Sequence, residues 1–168
     1  GQPDASPPGS IFDRRDYVPV RPATHMPPAN VLVPLDGSPL ADAALAEALA
    51  LFDCRITVLN VLTPLDAGMS ESGVLGATEG RRSVAHDRAD RLVDRARDRA
   101  ADADRTVETV VRTGDPAETI LDYVDDHGID RIVMGGHGGE RGAVARRLLG
   151  TVATRVVGEA PVTVTVVR

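Results

Sequence analysis

Five short runs of aliphatic and β-branched residues mark the chain, and each is separated from the next by a helix-forming segment. That alternation is the strongest constraint on the fold. A strand that must cross a helix before the next strand begins cannot close a hairpin, so its neighbours run parallel and the helices cover the sheet. Parallel strands buried on both faces need aliphatic rather than aromatic side chains. Hydrophobic residues make up 42% of the chain and aromatics only 2%, which suits such a core. The expectation is one α/β domain, a doubly wound parallel sheet with helices on both faces.

The runs and their punctuation fix approximate boundaries. "NVLVPLD" is a strand that ends at Asp36-Gly37, after which Ser38 caps a helix with Pro39 at its first position. Leu45, Ala48, Leu49 and Phe52 recur at helical spacing on the buried side of that helix. "RITVLNVL", Arg55 to Leu62, is the second strand, and a loop from Thr63 to Gly80 separates it from a helix over Arg81 to Ala103. Ala85, Ala89, Leu92, Ala96, Ala100 and Ala103 hold one face of this helix. Arginines and aspartates alternate on the other, paired as Asp94 with Arg97 are, and read as a solvated surface. "TVETVVR", Thr106 to Arg112, is the third strand. Asp115 and Pro116 then start a helix that stops at Gly128. "DRIVMGG" is the fourth strand, a helix ends near Gly158, and "PVTVTVV", Pro161 to Val167, is the last strand.

Residues 1–28 differ in kind, with seven of the twelve prolines and no apolar period. They read as an extension that packs loosely or not at all. The chain opens on glycine and Met26 could serve as a start, so residues 1–25 are on one reading a tag remnant; the domain is expected over residues 29–168.

Charge and residue usage exclude several functions. A net charge of -6 disfavours a nucleic-acid partner. All nineteen cationic residues are arginines, so the lysine-bearing phosphate loop of the Walker type is excluded. Cys54 stands alone, without a disulfide framework, and reads as a small core residue. The four histidines make no ligand spacing, so no structural metal is expected. No apolar run is long enough to span a bilayer, and no signal-peptide core occurs; a soluble cytoplasmic protein is expected, with no membrane partner.

Met134 to Val152 holds six of the sixteen glycines. In a doubly wound sheet, ligands bind beyond the carboxyl ends of the strands, where the winding reverses. Pro34-Leu35-Asp36-Gly37, the end of strand two, Gly114-Asp115 and this glycine cluster all fall at that edge. The cluster also leads into a helix whose amino end attracts anions. A dinucleotide fingerprint fits poorly, because Gly136-x-Gly138 is not completed by a glycine three residues on and follows the fourth strand.

These residues resemble the universal stress proteins. The marks are "VLVPLDGS", "TVLNVL", "TGDPAETIL", "IVMGGHG", "RRLLGTVATRVV" and the terminal "PVTVTVV", which together cover Ala29 to the carboxyl terminus. The resemblance implies a five-stranded parallel sheet in the order 3-2-1-4-5 and a homodimer through the C-terminal strand. It also implies an adenine-nucleotide site for ATP or AMP. ATP-binding members carry Gly-x-x-Gly, nine residues, then Gly-Ser or Gly-Thr. Carried over, Gly135 and Gly138 form the first pair and Gly150-Thr151 the second element. The amides of Gly150, Thr151 and Val152 and the Thr151 hydroxyl would donate to phosphate oxygens. Asp36 would accept from the ribose hydroxyls or hold magnesium. Val61 would offer backbone groups to the adenine edge, and Pro34, Leu35, Met134 and His137 would complete the pocket. Eleven residues, not nine, separate Gly138 from Gly150. Glu140 thus falls near the expected phosphates, and Arg141, Arg146 and Arg147 either offset it or only solvate a loop. No general base stands beside His137, so a dimeric binding module or stress sensor is expected ahead of a catalyst. The alternatives are a nucleotide-free dimeric interaction protein and a slow ATP hydrolase.

Overall fold

A computed structural model of the chain describes residues 26–64, 75–137 and 149–168, apart from the side chains of residues 75–78. The elements run β1 (Asn30–Pro34), α1 (Pro39–Leu51), β2 (Arg55–Leu62), α2 (Leu75–Asp102), β3 (Glu108–Thr113), α3 (Pro116–His127), β4 (Arg131–Gly135), α4 (Thr151–Glu159) and β5 (Thr163–Val167). The strands form one five-stranded parallel sheet in the order β3-β2-β1-β4-β5, as the alternation of strands and helices and the family resemblance anticipate. The winding leaves β1 in one direction through β2 to β3, then returns to β4 and β5. The switch point therefore lies between β1 and β4.

Two apolar layers sandwich the sheet, and the pleat assigns residues to them by parity. Val31 and Val33 of β1 and Val133 of β4 pack with Ala44, Leu45 and Ala48 of α1 and Ala96 of α2. Leu32, Ile132 and Met134 face the other way, onto Ile120 and Val124 of α3 and Val156 of α4. A slip of one residue in β1 would exchange the two sets, so the register is strongly determined.

The helix starts follow their capping chemistry. Ser38 Oγ accepts from the Ala41 amide at 3.2 Å, and Asp115 Oδ1 accepts from the Glu118 amide at 2.9 Å. Each cap is followed by the proline that opens its helix. Gly128, in the left-handed region at φ 59°, ends α3. Below the sheet, the Asp130 carboxylate accepts from the amides of Ala29 and Asn30, both at 2.9 Å, and ties the start of β1 to the start of β4.

Several boundaries differ from the sequence expectation. α2 begins at Leu75, not Arg81, and carries Gly80 inside it. Gly80 costs a helix interior about 1 kcal/mol, but extending a helix that is already nucleated and packed adds a hydrogen bond per residue. The packed end supplies that anchor, since Ala89, Leu92, Val93, Ala96 and Ala100 are buried. At its other end the helix stops at Asp102, Asp104 takes a positive φ of 54°, and Ala103 is exposed rather than on the apolar face. β5 starts at Thr163, because Pro161 has no amide to donate to a ladder. β3 occupies Glu108–Thr113, two residues later than "TVETVVR" starts.

Candidate functional site

The switch point opens because its strands end at different heights. β1 makes its last rung where the Leu35 amide donates to the Leu59 carbonyl at 2.9 Å. The chain then turns through Asp36 and Gly37, with Asp36 Oδ1 accepting from the Ser38 amide at 2.9 Å and Gly37 at φ 84°. β2 runs three residues beyond Leu59. Backbone groups of a parallel strand alternate between neighbours. Those of Val61 therefore turn toward the side where β1 has already ended. On the other side β4 ends at Gly135, and the Gly136 amide donates to the Val167 carbonyl at 2.8 Å.

Between these ends lies a cleft of about 980 Å³, at the upper end of the range for small-molecule sites. Pro34, Leu35, Asp36, Val61, Met134, Gly135, His137, Gly150, Thr151 and Val152 all line it. Gly138 lies outside the described residues, as do Glu140, Arg141, Arg146 and Arg147. The chain thus gathers, from four separate segments, every described residue expected to form the pocket.

Two glycines have other reasons than the one the sequence suggested. A Cβ on Gly135 would lie 2.8 Å from the Ala41 nitrogen and 2.8 Å from the Leu40 carbonyl carbon. The close approach of α1 to β4 forbids a side chain there, whatever binds in the cleft. The Gly150 amide already donates to the Gly136 carbonyl at 2.7 Å, so it is not available to a ligand, contrary to expectation. The free donors begin one residue later. Gly150 is the N-cap of α4 and offers no side-chain hydrogen bond. At α1 and α3 a side chain accepts from the third helical amide; α4 has no such cap, and its first residues, Thr151, Val152 and Ala153, all line the cleft.

Other residues of the cleft went unread in the sequence. Asn60 is 4% exposed; its Nδ2 donates to the Leu35 carbonyl at 2.7 Å, which fixes the amide orientation, and its Oδ1 has no partner. Its position in an apolar run offered only the hint that a polar residue there needs a partner. His137 Nδ1 is likewise buried and unpartnered. Gly80, Arg81, Val84, Ala85 and Arg88 bring α2 to the cleft as a second wall. Gly80 was hidden because the segment before Arg81 read as loop; the others fell inside the expected helix, whose arginines read as solvated surface and whose approach to the cleft is set by tertiary packing.

The acid–base content of the cleft is small. Among the described residues Asp36 is the one carboxylate of the lining, and no group of three His, Cys, Asp or Glu gathers to hold a metal. Asp115, which caps α3 nearby, is held by Arg155 at 2.9 Å. Cys54 sits at the opposite end of β2, where burial pushes its thiol above the ordinary range and leaves it a packing residue. No described helix is long and apolar enough to cross a membrane.

The profile of the universal stress protein family matches residues 29–168. The solved structure of universal stress protein UspA from Lactobacillus plantarum is similar at 29% identity and a TM-score of 0.70, covering 83% of this chain and 97% of that one. A family protein from Arabidopsis thaliana with AMP bound is 20% identical, with a TM-score of 0.60 and coverage of 83% and 91%. The Archaeoglobus fulgidus protein in complex with dAMP is 21% identical, with a TM-score of 0.57 and coverage of 83% and 97%. A search of curated proteins returned no match.

Proposed function

Given that this chain belongs to the universal stress protein family, we propose that it binds an adenine nucleotide, ATP or AMP, in the cleft at the β1/β4 switch point. In this reading it acts as a dimeric binding module or sensor in a stress response rather than as a catalyst. The observation that carries the reading is the start of α4. Its uncapped amides at Thr151 and Val152 open into a cleft of nucleotide size that Asp36 also lines. Helix starts of this kind favour phosphate, because several N–H groups and the helix dipole point the same way. The AMP and dAMP complexes of the two related proteins support the same ligand class.

Each element has a role on this reading. The Thr151 and Val152 amides and the Thr151 hydroxyl donate to phosphate, with Gly138 completing the cradle. Asp36 has one oxygen engaged by the Ser38 amide and accepts from the ribose hydroxyls with the other. Val61 presents backbone groups to the base edge, and Leu35, Met134 and His137 form the walls. Magnesium fits this site only as a shared ion: Asp36 supplies one carboxylate, and the phosphates and water supply the rest, the usual arrangement for that cation. When bound, it would neutralise phosphate charge.

The homodimer is proposed at β5. That strand pairs with β4 alone and presents Val and Thr without a charged residue between Thr163 and Val167. Antiparallel pairing with a second copy would satisfy its free groups. The cytoplasm is the proposed location.

The test is to denature the purified protein and run the supernatant on an ion-exchange column, alongside an assay of ATP turnover. Released ATP or AMP with no turnover is expected. An empty protein that also fails to take up added ATP would favour the nucleotide-free interaction protein, and turnover would favour the slow hydrolase.

A further inference from the structure

α2 crosses the cleft with a single stripe of residues. Ala89 and Leu92 are buried in the core, and Ala85, Val84, Arg81 and Gly80 carry the stripe outward along the cleft wall. Two arginines, Arg81 and Arg88, therefore line the same cleft as the start of α4. Arg81 and Arg88 are seven residues apart, two turns, or about 10 Å along the axis.

Arg88 is the better placed of the two. A methyl group on Gly37 would lie 3.8 Å from Arg88 Nη2, so the guanidinium lies over the Asp36-Gly37 turn, at the edge of the switch point. Gly37 itself is set by its φ of 84° and by Leu92 Cδ2, which a Cβ would meet at 3.1 Å. Asp36 is close by, yet its Oδ1 is engaged by the Ser38 amide and it forms no ion pair with Arg88. Further along the same helix, Arg97 pairs with Asp94 at 3.3 Å and Arg99 with Asp42 at 3.2 Å. The charged residues of the lining are Asp36, Arg81 and Arg88, so the described cleft carries a formal charge of one negative and two positive groups in a chain of net charge -6. Arg88 is itself exposed at the margin of the cleft, where a guanidinium without an ion pair is free to meet an anion through paired N–H groups.

We propose that Arg88 is a specificity-determining residue of this cleft, the cation that meets the phosphate chain of the ligand and discriminates phosphorylated from unphosphorylated nucleosides. The inference rests on the nucleotide reading of the cleft. It assigns to α2 a phosphate contact outside the cradle expected from the family motif.

The test is calorimetric titration of ATP, adenosine and inorganic tripolyphosphate into the wild type, Arg88→Gln and Arg91→Gln. Arg91 is exposed on the same helix and does not line the cleft. Arg88→Gln should weaken ATP about tenfold or more, the scale of a charge-assisted hydrogen bond, and leave adenosine unchanged. Its ATP affinity should also fall less steeply with salt than that of the wild type. Arg91→Gln should change nothing. Equal ATP affinity in wild type and Arg88→Gln, or equal losses in both variants, would overturn the role of Arg88 while leaving nucleotide binding intact. If ATP fails to bind the wild type but tripolyphosphate binds and is lost in Arg88→Gln, the nucleotide reading falls and the anion contact stands. If neither ligand binds the wild type, both fall.

Discussion

At the residue scale, the cleft glycines divide by cause. Gly135 is held by packing, because a Cβ would meet α1 backbone at 2.8 Å, and backbone cannot swing away as a side chain can. Gly135→Ala should therefore destabilise the fold by roughly 1–3 kcal/mol, the scale of overpacking, and lower the thermal midpoint by several degrees. An unchanged midpoint would show that α1 can yield. This reason was not legible in the sequence, where Gly135 and Gly138 look like one motif with one purpose. What distinguishes them is the position of Leu40 and Ala41, nearly a hundred residues away. Asp36 was legible because it follows the end of β1, and Val61 because it falls among the last residues of β2, since the winding of the sheet places strand ends together; Thr151 was reached only through the family resemblance.

At the scale of elements, the strands were readable to within about two residues because their β-branched runs are bounded by proline, glycine and aspartate. α1 and α3 were readable from Ser38-Pro39 and Asp115-Pro116, where cap and proline act locally. The start of α2 was not, since its glycines argue for a loop and only packing further along the helix argues otherwise. Gly80 tests this wall. It lies within α2 and lines the cleft, and a Cβ there meets no atom within 4 Å. Gly80→Ala should raise stability by about 0.5–1 kcal/mol through helix propensity. Gly80→Leu should fill part of the cleft and weaken ATP and adenosine alike while still folding. Full affinity for both ligands in Gly80→Leu would remove α2 from the site.

At the scale of the whole molecule, one acidic domain presents two different sheet edges. β3 shows Glu108 and Arg112 to solvent, whereas β5 shows none of its own charge. The Val167 carbonyl faces β4, so by alternation the Val164 amide points away from the sheet, at the free edge. Val164→Pro would then remove an outward donor and leave the β4 ladder whole. Monomers on size-exclusion chromatography are expected, and an unaltered dimer would move the interface elsewhere. On the function proposed, the cleft lined by the start of α4 holds an adenine nucleotide by its phosphates. Titrating ATP with magnesium into nucleotide-stripped wild type and Thr151→Val by calorimetry tests it most directly. Saturable binding of one nucleotide per chain is predicted, weakened in Thr151→Val by about 1–2 kcal/mol, roughly five- to thirtyfold, at an unchanged thermal midpoint. No binding to the wild type, or equal affinity in the two proteins, would contradict it.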